Sequence, residues 1–86
     1  MIRIYCDWNN SIDEHRIDLG CPGSMEDIRR HADVLKEGMR VTFYQPDELE
    51  AEGALAFDQA SKRWVAIPDM TTMRYIGRSA SFGKNA

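Results

Sequence analysis

The chain has 86 residues, 11 of them Lys or Arg and 14 Asp or Glu, for a formal charge of −3 at neutral pH; that length corresponds to one domain, near the lower size at which a core suffices without staples. A content of 43% hydrophobic and 29% charged residues excludes a disordered chain, and overall acidity argues against tight non-specific nucleic-acid binding, whose affinity comes mostly from phosphate contacts. No apolar run is long enough for a signal peptide or a membrane span, so a cytoplasmic location is expected, with Cys6 and Cys21 as reduced thiols.

Near the N-terminus, Ile2, Ile4, Cys6 and Trp8 share one parity and Arg3, Tyr5 and Asp7 the other, the period-2 pattern of a strand with one buried face. Cys6 and Trp8 are therefore expected inside. After the turn cluster Asn9-Asn10-Ser11, alternation resumes with His15, Ile17 and Leu19 opposite Glu14, Arg16 and Asp18, which predicts an N-terminal hairpin of residues 2–7 with 13–19. Gly20-Cys21-Pro22-Gly23 breaks the pattern before Ser24, the expected helix N-cap, with Asp27 three residues on. Met25, Ile28, Ala32 and Leu35 recur at helical spacing as one buried stripe, and Glu26/Arg30 and Arg29/Asp33 fall four apart on the outer face. Gly38 is the expected stop.

From Met39 to Ile76 four strand-like runs follow. Residues 39–44 end at Gln45-Pro46-Asp47, and Asp47–Glu52 reads as a solvated acidic loop or single turn before Gly53. Ala54–Asp58 and Arg63–Ile67 form the clearest hairpin, with Asp58 opposite Arg63 and Phe57 opposite Trp64. Pro68 ends that strand, and Thr72–Ile76 makes a last short one. The fold class expected is α+β: a small curled antiparallel sheet or partial barrel, with one amphipathic helix between an N-terminal hairpin and four C-terminal strands. Residues 1–77 form a single domain and 78–86, small and polar, a flexible tail.

Three stretches resemble SH3-like small β-barrel domains: Asp47–Glu50 the acidic loop, Arg63–Ile67 the Trp-bearing strand, and Arg74–Ile76 the closing strand with its groove tyrosine. Thr71, Thr72 and Met73 stand where SH3 domains carry a proline, so the resemblance implies the barrel and not a polyproline groove. The chain as a whole is similar to small uncharacterised bacterial proteins with such a barrel, a resemblance that implies no activity.

Charge is unevenly placed: residues 1–38 sum to −3, 39–60 to −4 and 61–86 to +4. Lys62, Arg63, Trp64, Arg74, Tyr75 and Arg78 bring cations and aromatics together if the last two strands are neighbours, and Trp, Tyr and Arg dominate protein-binding hot spots. The leading expectation is a non-enzymatic protein–protein interaction module without cofactor or metal. It binds a protein partner through Glu48, Glu50, Arg63, Trp64, Arg74 and Tyr75, with Trp64 and Tyr75 partly exposed on one continuous surface. One alternative is a single-stranded nucleic-acid binder using Lys62, Arg63, Arg74, Arg78 and Lys84, which the acidic net charge disfavours. Another is a thiol or metal site at Cys21 with His15 or His31, for which the spacing of Cys6, His15, Cys21 and His31 lacks the close pair a small zinc site uses. Short strands also leave an edge that a homodimer could pair.

Overall fold

A computed structural model describes residues 1–76. The predicted tail 78–86, with Arg78 and Lys84, lies outside them. The described chain is an α+β fold: one helix, α1 (Pro22–Arg30), and a curled six-stranded sheet of β1 (Arg3–Tyr5), β2 (Ile17–Asp18), β3 (Arg40–Gln45), β4 (Leu49–Asp58), β5 (Arg63–Pro68) and β6 (Arg74–Tyr75). The strands run β1-β3-β4-β5-β2, and β6 pairs with β4. The sheet is open and mixed: β1 runs parallel to β3, and the other pairs are antiparallel.

The predicted N-terminal hairpin does not form. β1 and β2 stand at opposite ends of the β1-to-β2 strand path, one beside β3 and the other beside β5. Between them, Trp8–Asn10 make a 3-10 turn capped by the Asp7 carboxylate. Asp13 then holds the next turn through the amides of His15 and Arg16, so His15 is exposed rather than facing inward. Ile17 and Leu19 keep their inward parity.

β4 is the strand that organises the sheet, and it begins earlier than expected. Leu49, Ala51, Gly53 and Leu55 face one side and Glu50 and Glu52 the other, so the expected acidic loop is in fact the first half of a ten-residue strand. One edge of β4 pairs with β3 over Leu49–Ala54; its other edge pairs with β5 over Gly53–Asp58 and with β6 at Leu49 and Glu50. Gly53 sits where these partners converge. A Cβ there would lie 2.3 Å from the Ile67 carbonyl oxygen and 2.6 Å from the Pro68 Cα, a clash with backbone that only glycine avoids.

The helix starts at Pro22, with Cys21 as N-cap. Proline suits that first position because its missing N–H is one that no helix bond would use. Ser24 is thereby inside the helix and does not cap it. Of the predicted stripe only Ile28 is buried, with Leu35 partly buried against the core; Met25 and Ala32 are exposed. The regular helix ends at Arg30 because the His31 N–H is shared between the Asp27 and Ile28 carbonyls, and tighter turns carry the chain to Leu35. On the outer face Glu26 pairs with both Arg29 and Arg30. The core is built from Ile4, Cys6, Ile17, Leu19, Ile28, Val41, Phe43, Leu55 and Ala66, with Trp8 and Trp64 packed partly buried against it.

Candidate protein-docking site

The six residues singled out in the sequence separate into two places, because β6 pairs with β4 and not with β5. Trp64 pairs with Phe57 near one end of β4, and Tyr75 pairs with Leu49 at the other. Eight residues of strand put them about 26 Å apart. Both side chains are partly exposed, Tyr75 to 64%, and they stand at opposite ends of β4.

At the Tyr75 end, Glu50 is a buried carboxylate clamped between strands. Its Oε1 accepts a hydrogen bond from Arg3 Nη1 at 3.0 Å, and its Oε2 accepts from Arg74 Nε at 2.9 Å and from Arg74 Nη2. The Arg74 guanidinium, with Arg3 adding to it against the opposing desolvation, holds the Glu50 carboxyl below the usual carboxylate range. Arg3 also lies over the Tyr44 ring, 4.8 Å from its centroid. These charges are spent on one another: they tie β1, β4 and β6 together and leave little for a partner. Glu48 is exposed in the β3–β4 turn and accepts the Ile76 N–H through its carbonyl.

Beside this clamp, α1 covers the outer edge of β1 at Tyr5. The Asp27 carboxylate, buried, accepts the Tyr5 N–H at 2.9 Å and the Tyr44 hydroxyl at 2.7 Å through the same oxygen. Burial, then that bond, pushes the Tyr44 hydroxyl pKa up. A groove of about 640 Å³ runs past Arg3, Asp27, Arg30, His31 and Tyr44. Its arginines are occupied, Arg3 by Glu50 and Arg30 by Glu26 and Asp27.

At the Trp64 end the chemistry differs. The predicted hairpin of β4 and β5 forms in the expected register, with Asp58 opposite Arg63 and Phe57 opposite Trp64. The two rings meet edge to face with centroids 5.3 Å apart. Across from them stand Met25, 42% exposed, and Ile28 of α1. Together these four line a groove of about 520 Å³ whose rim carries Lys62 and Arg63. Arg63 donates to Asp18 at 2.8 Å. Lys62 closes the hairpin loop with φ of 61°, a left-handed conformation that costs a lysine about 1 kcal/mol relative to glycine.

Cys6, His15, Cys21 and His31 do not form a centre. Cys6 is fully buried, and burial pushes its thiol pKa up to about 12. His15 is exposed in its turn, and Cys21 lies with its sulfur 3.2 Å from the Ser24 hydroxyl. Among the described residues, no three His, Cys, Asp or Glu side chains are grouped so as to hold a metal ion. No helix among the described residues is long and apolar enough to cross a membrane. Sequence reasoning missed Met25 and Ile28 as groove residues, because their helical spacing reads equally as core; Phe57 carried the signal, as Trp64's cross-strand partner.

Comparison of the chain with protein-family models, curated proteins and solved structures found no match.

Proposed function

We propose that this protein is a non-catalytic, cytoplasmic protein-binding module that seats an apolar segment of a partner in the groove between α1 and the β4–β5 hairpin. The observation that carries the reading is the composition of that groove: two aromatic rings, a methionine and an isoleucine, with two cations on the rim. Aromatic residues, Met and Arg are the residue types enriched at the centre of protein interfaces. Methionine adapts its shape to what is placed against it. Of the six residues marked in the sequence, Arg63 and Trp64 belong to this groove; Glu50 and Arg74 serve the clamp that holds β6, and Glu48 and Tyr75 lie with them.

The single-stranded nucleic-acid reading draws less support. Arg63 and Arg74 are each bound to a carboxylate of their own chain, and neutralised arginines contribute little to phosphate affinity.

Capture from the source cell's extract tests the proposal with three baits: the native chain, Met25→Glu, and Tyr75→Ser. The first substitution charges the groove at an exposed helix position, and the second alters the far end of β4. The docking reading expects a protein held by the native chain and by Tyr75→Ser and lost with Met25→Glu. Equal capture by all three, or capture of nucleic acid sensitive to salt in place of protein, overturns it.

A further inference from the structure

We infer that the partner segment is acidic as well as apolar, with an apolar side chain set against Trp64 and Met25 and a neighbouring carboxylate held by the Lys62 ammonium. This rests on the docking reading above and adds the chemistry of the occupant.

Three observations carry it. The first is sign: the charged residues lining the groove, Lys62 and Arg63, are both cations, on a chain whose formal charge is −3. The second is availability. Every described arginine is within salt-bridge distance of a carboxylate of this chain. Among the described residues, Lys62 has no such partner and lines the groove. The third is backbone. Lys62 closes a four-residue loop, and its N–H donates to the Asp58 carbonyl at 2.8 Å. The left-handed conformation there suits glycine or asparagine better than a long cation. Turn formation therefore does not account for a lysine, whereas an ammonium set at the mouth of an apolar groove does have a use.

The physics of the contact favours the same occupant. A carboxylate brought beside Lys62 would be partly shielded from water by Trp64 and Phe57, which strengthens the pair relative to open solvent. Opposite charge also speeds encounter and rejects basic segments. Lys62 lines the same groove as Trp64 and Met25, so the acid lies next to the apolar side chain in the partner.

A displayed library of random peptides, selected in parallel on the native chain, Lys62→Asn and Met25→Glu, tests this. Asparagine tolerates the left-handed conformation, so the first variant changes charge and keeps the turn. On the native chain the enriched peptides are expected to carry Asp or Glu beside a large apolar residue. A synthetic peptide from that set is expected to bind Lys62→Asn roughly ten-fold more weakly, and selection on Lys62→Asn to keep the apolar residue and lose the acid. Enrichment of apolar peptides with no acidic excess, or equal affinity for Lys62→Asn, overturns the inference and leaves the docking reading intact. Failure of the native chain to enrich anything beyond Met25→Glu overturns both.

Discussion

The Asp27 carboxylate, on a helix, accepts the backbone N–H of Tyr5, on an edge strand, at 2.9 Å. β1 turns its even residues to β3: Ile2 accepts from the Thr42 amide and the Cys6 amide donates to the Tyr44 carbonyl. The N–H and C=O of Tyr5 therefore point away from the sheet. Asp27 takes the N–H and the Ser24 hydroxyl donates to the Tyr5 carbonyl at 2.5 Å, so two helix side chains do what another strand would do. Covered in this way, Tyr5 is closed to pairing with a neighbouring chain.

Asp27→Ala leaves the Tyr5 N–H without that acceptor and the Tyr44 hydroxyl without its partner. The expected loss is about 2–3 kcal/mol, and about 1 kcal/mol for Ser24→Ala. Because both act on one residue, the double variant is expected to lose less than the sum. Denaturant midpoints of the four chains check both statements.

Glu50 gives the protein part of its acid sensitivity. Its pKa is lowered in the folded state, first by Arg74 and then by Arg3. Its contribution is therefore complete above the unfolded carboxylate pKa, and is lost as pH falls through the lower folded value. Glu50→Gln is expected to cost about 1–2 kcal/mol at neutral pH. Asp13, Asp58 and Asp69 are also held low, chiefly by hydrogen bonds from the His15 amide, the Ser61 hydroxyl and the Thr71 hydroxyl respectively, so both chains weaken in acid. The reading specific to Glu50 is that the stability gap between them narrows as pH falls. A constant gap contradicts it.

Gly53→Ala is expected to destabilise by about 1–3 kcal/mol or to prevent folding, since the added methyl meets backbone on β5 that cannot turn aside. Ala54→Gly, one residue along the same strand, removes a side chain and is expected to cost about 0.5–1 kcal/mol. Thermal unfolding of the pair separates close packing from general strand weakening.

The thiols are expected to differ sharply in reactivity. Cys6 is buried, with its pKa raised to about 12 by burial first and by the nearby Cys21 and Asp7 after it, so almost none of it is thiolate at neutral pH. Cys21 is partly exposed. Alkylation of the native chain followed by mass mapping should label Cys21 first and Cys6 only on unfolding; early labelling of Cys6 contradicts the packing described.

Local patterns were legible in the sequence, and long-range pairing was not. The β4–β5 hairpin declared its register because only a short loop separates Asp58 from Arg63. The inward parity of Ile4, Cys6, Ile17 and Leu19 was equally plain. The partner of β1 was not: it lies in β3, far along the chain, and a strand's alternation gives its faces without naming its neighbours. Alternation did run unbroken through Leu49, Ala51, Gly53 and Leu55, and would have extended β4 to its true start. The cluster of acids and the glycine masked it, because Glu50 is buried only by arginines that arrive from β1 and β6. The split between Trp64 and Tyr75 follows from the same cause. Met70–Thr72 turns the chain back past the end of β5, so the last strand reaches β4 directly.

Photocrosslinking tests the docking groove most directly. A photoreactive residue in place of Met25, irradiated in the source cell's extract, is compared with one in place of Tyr75. A discrete protein adduct is expected from position 25, reduced when Lys62 is also changed to Asn, and none from position 75. An adduct from position 75 alone, or none from position 25, would contradict it.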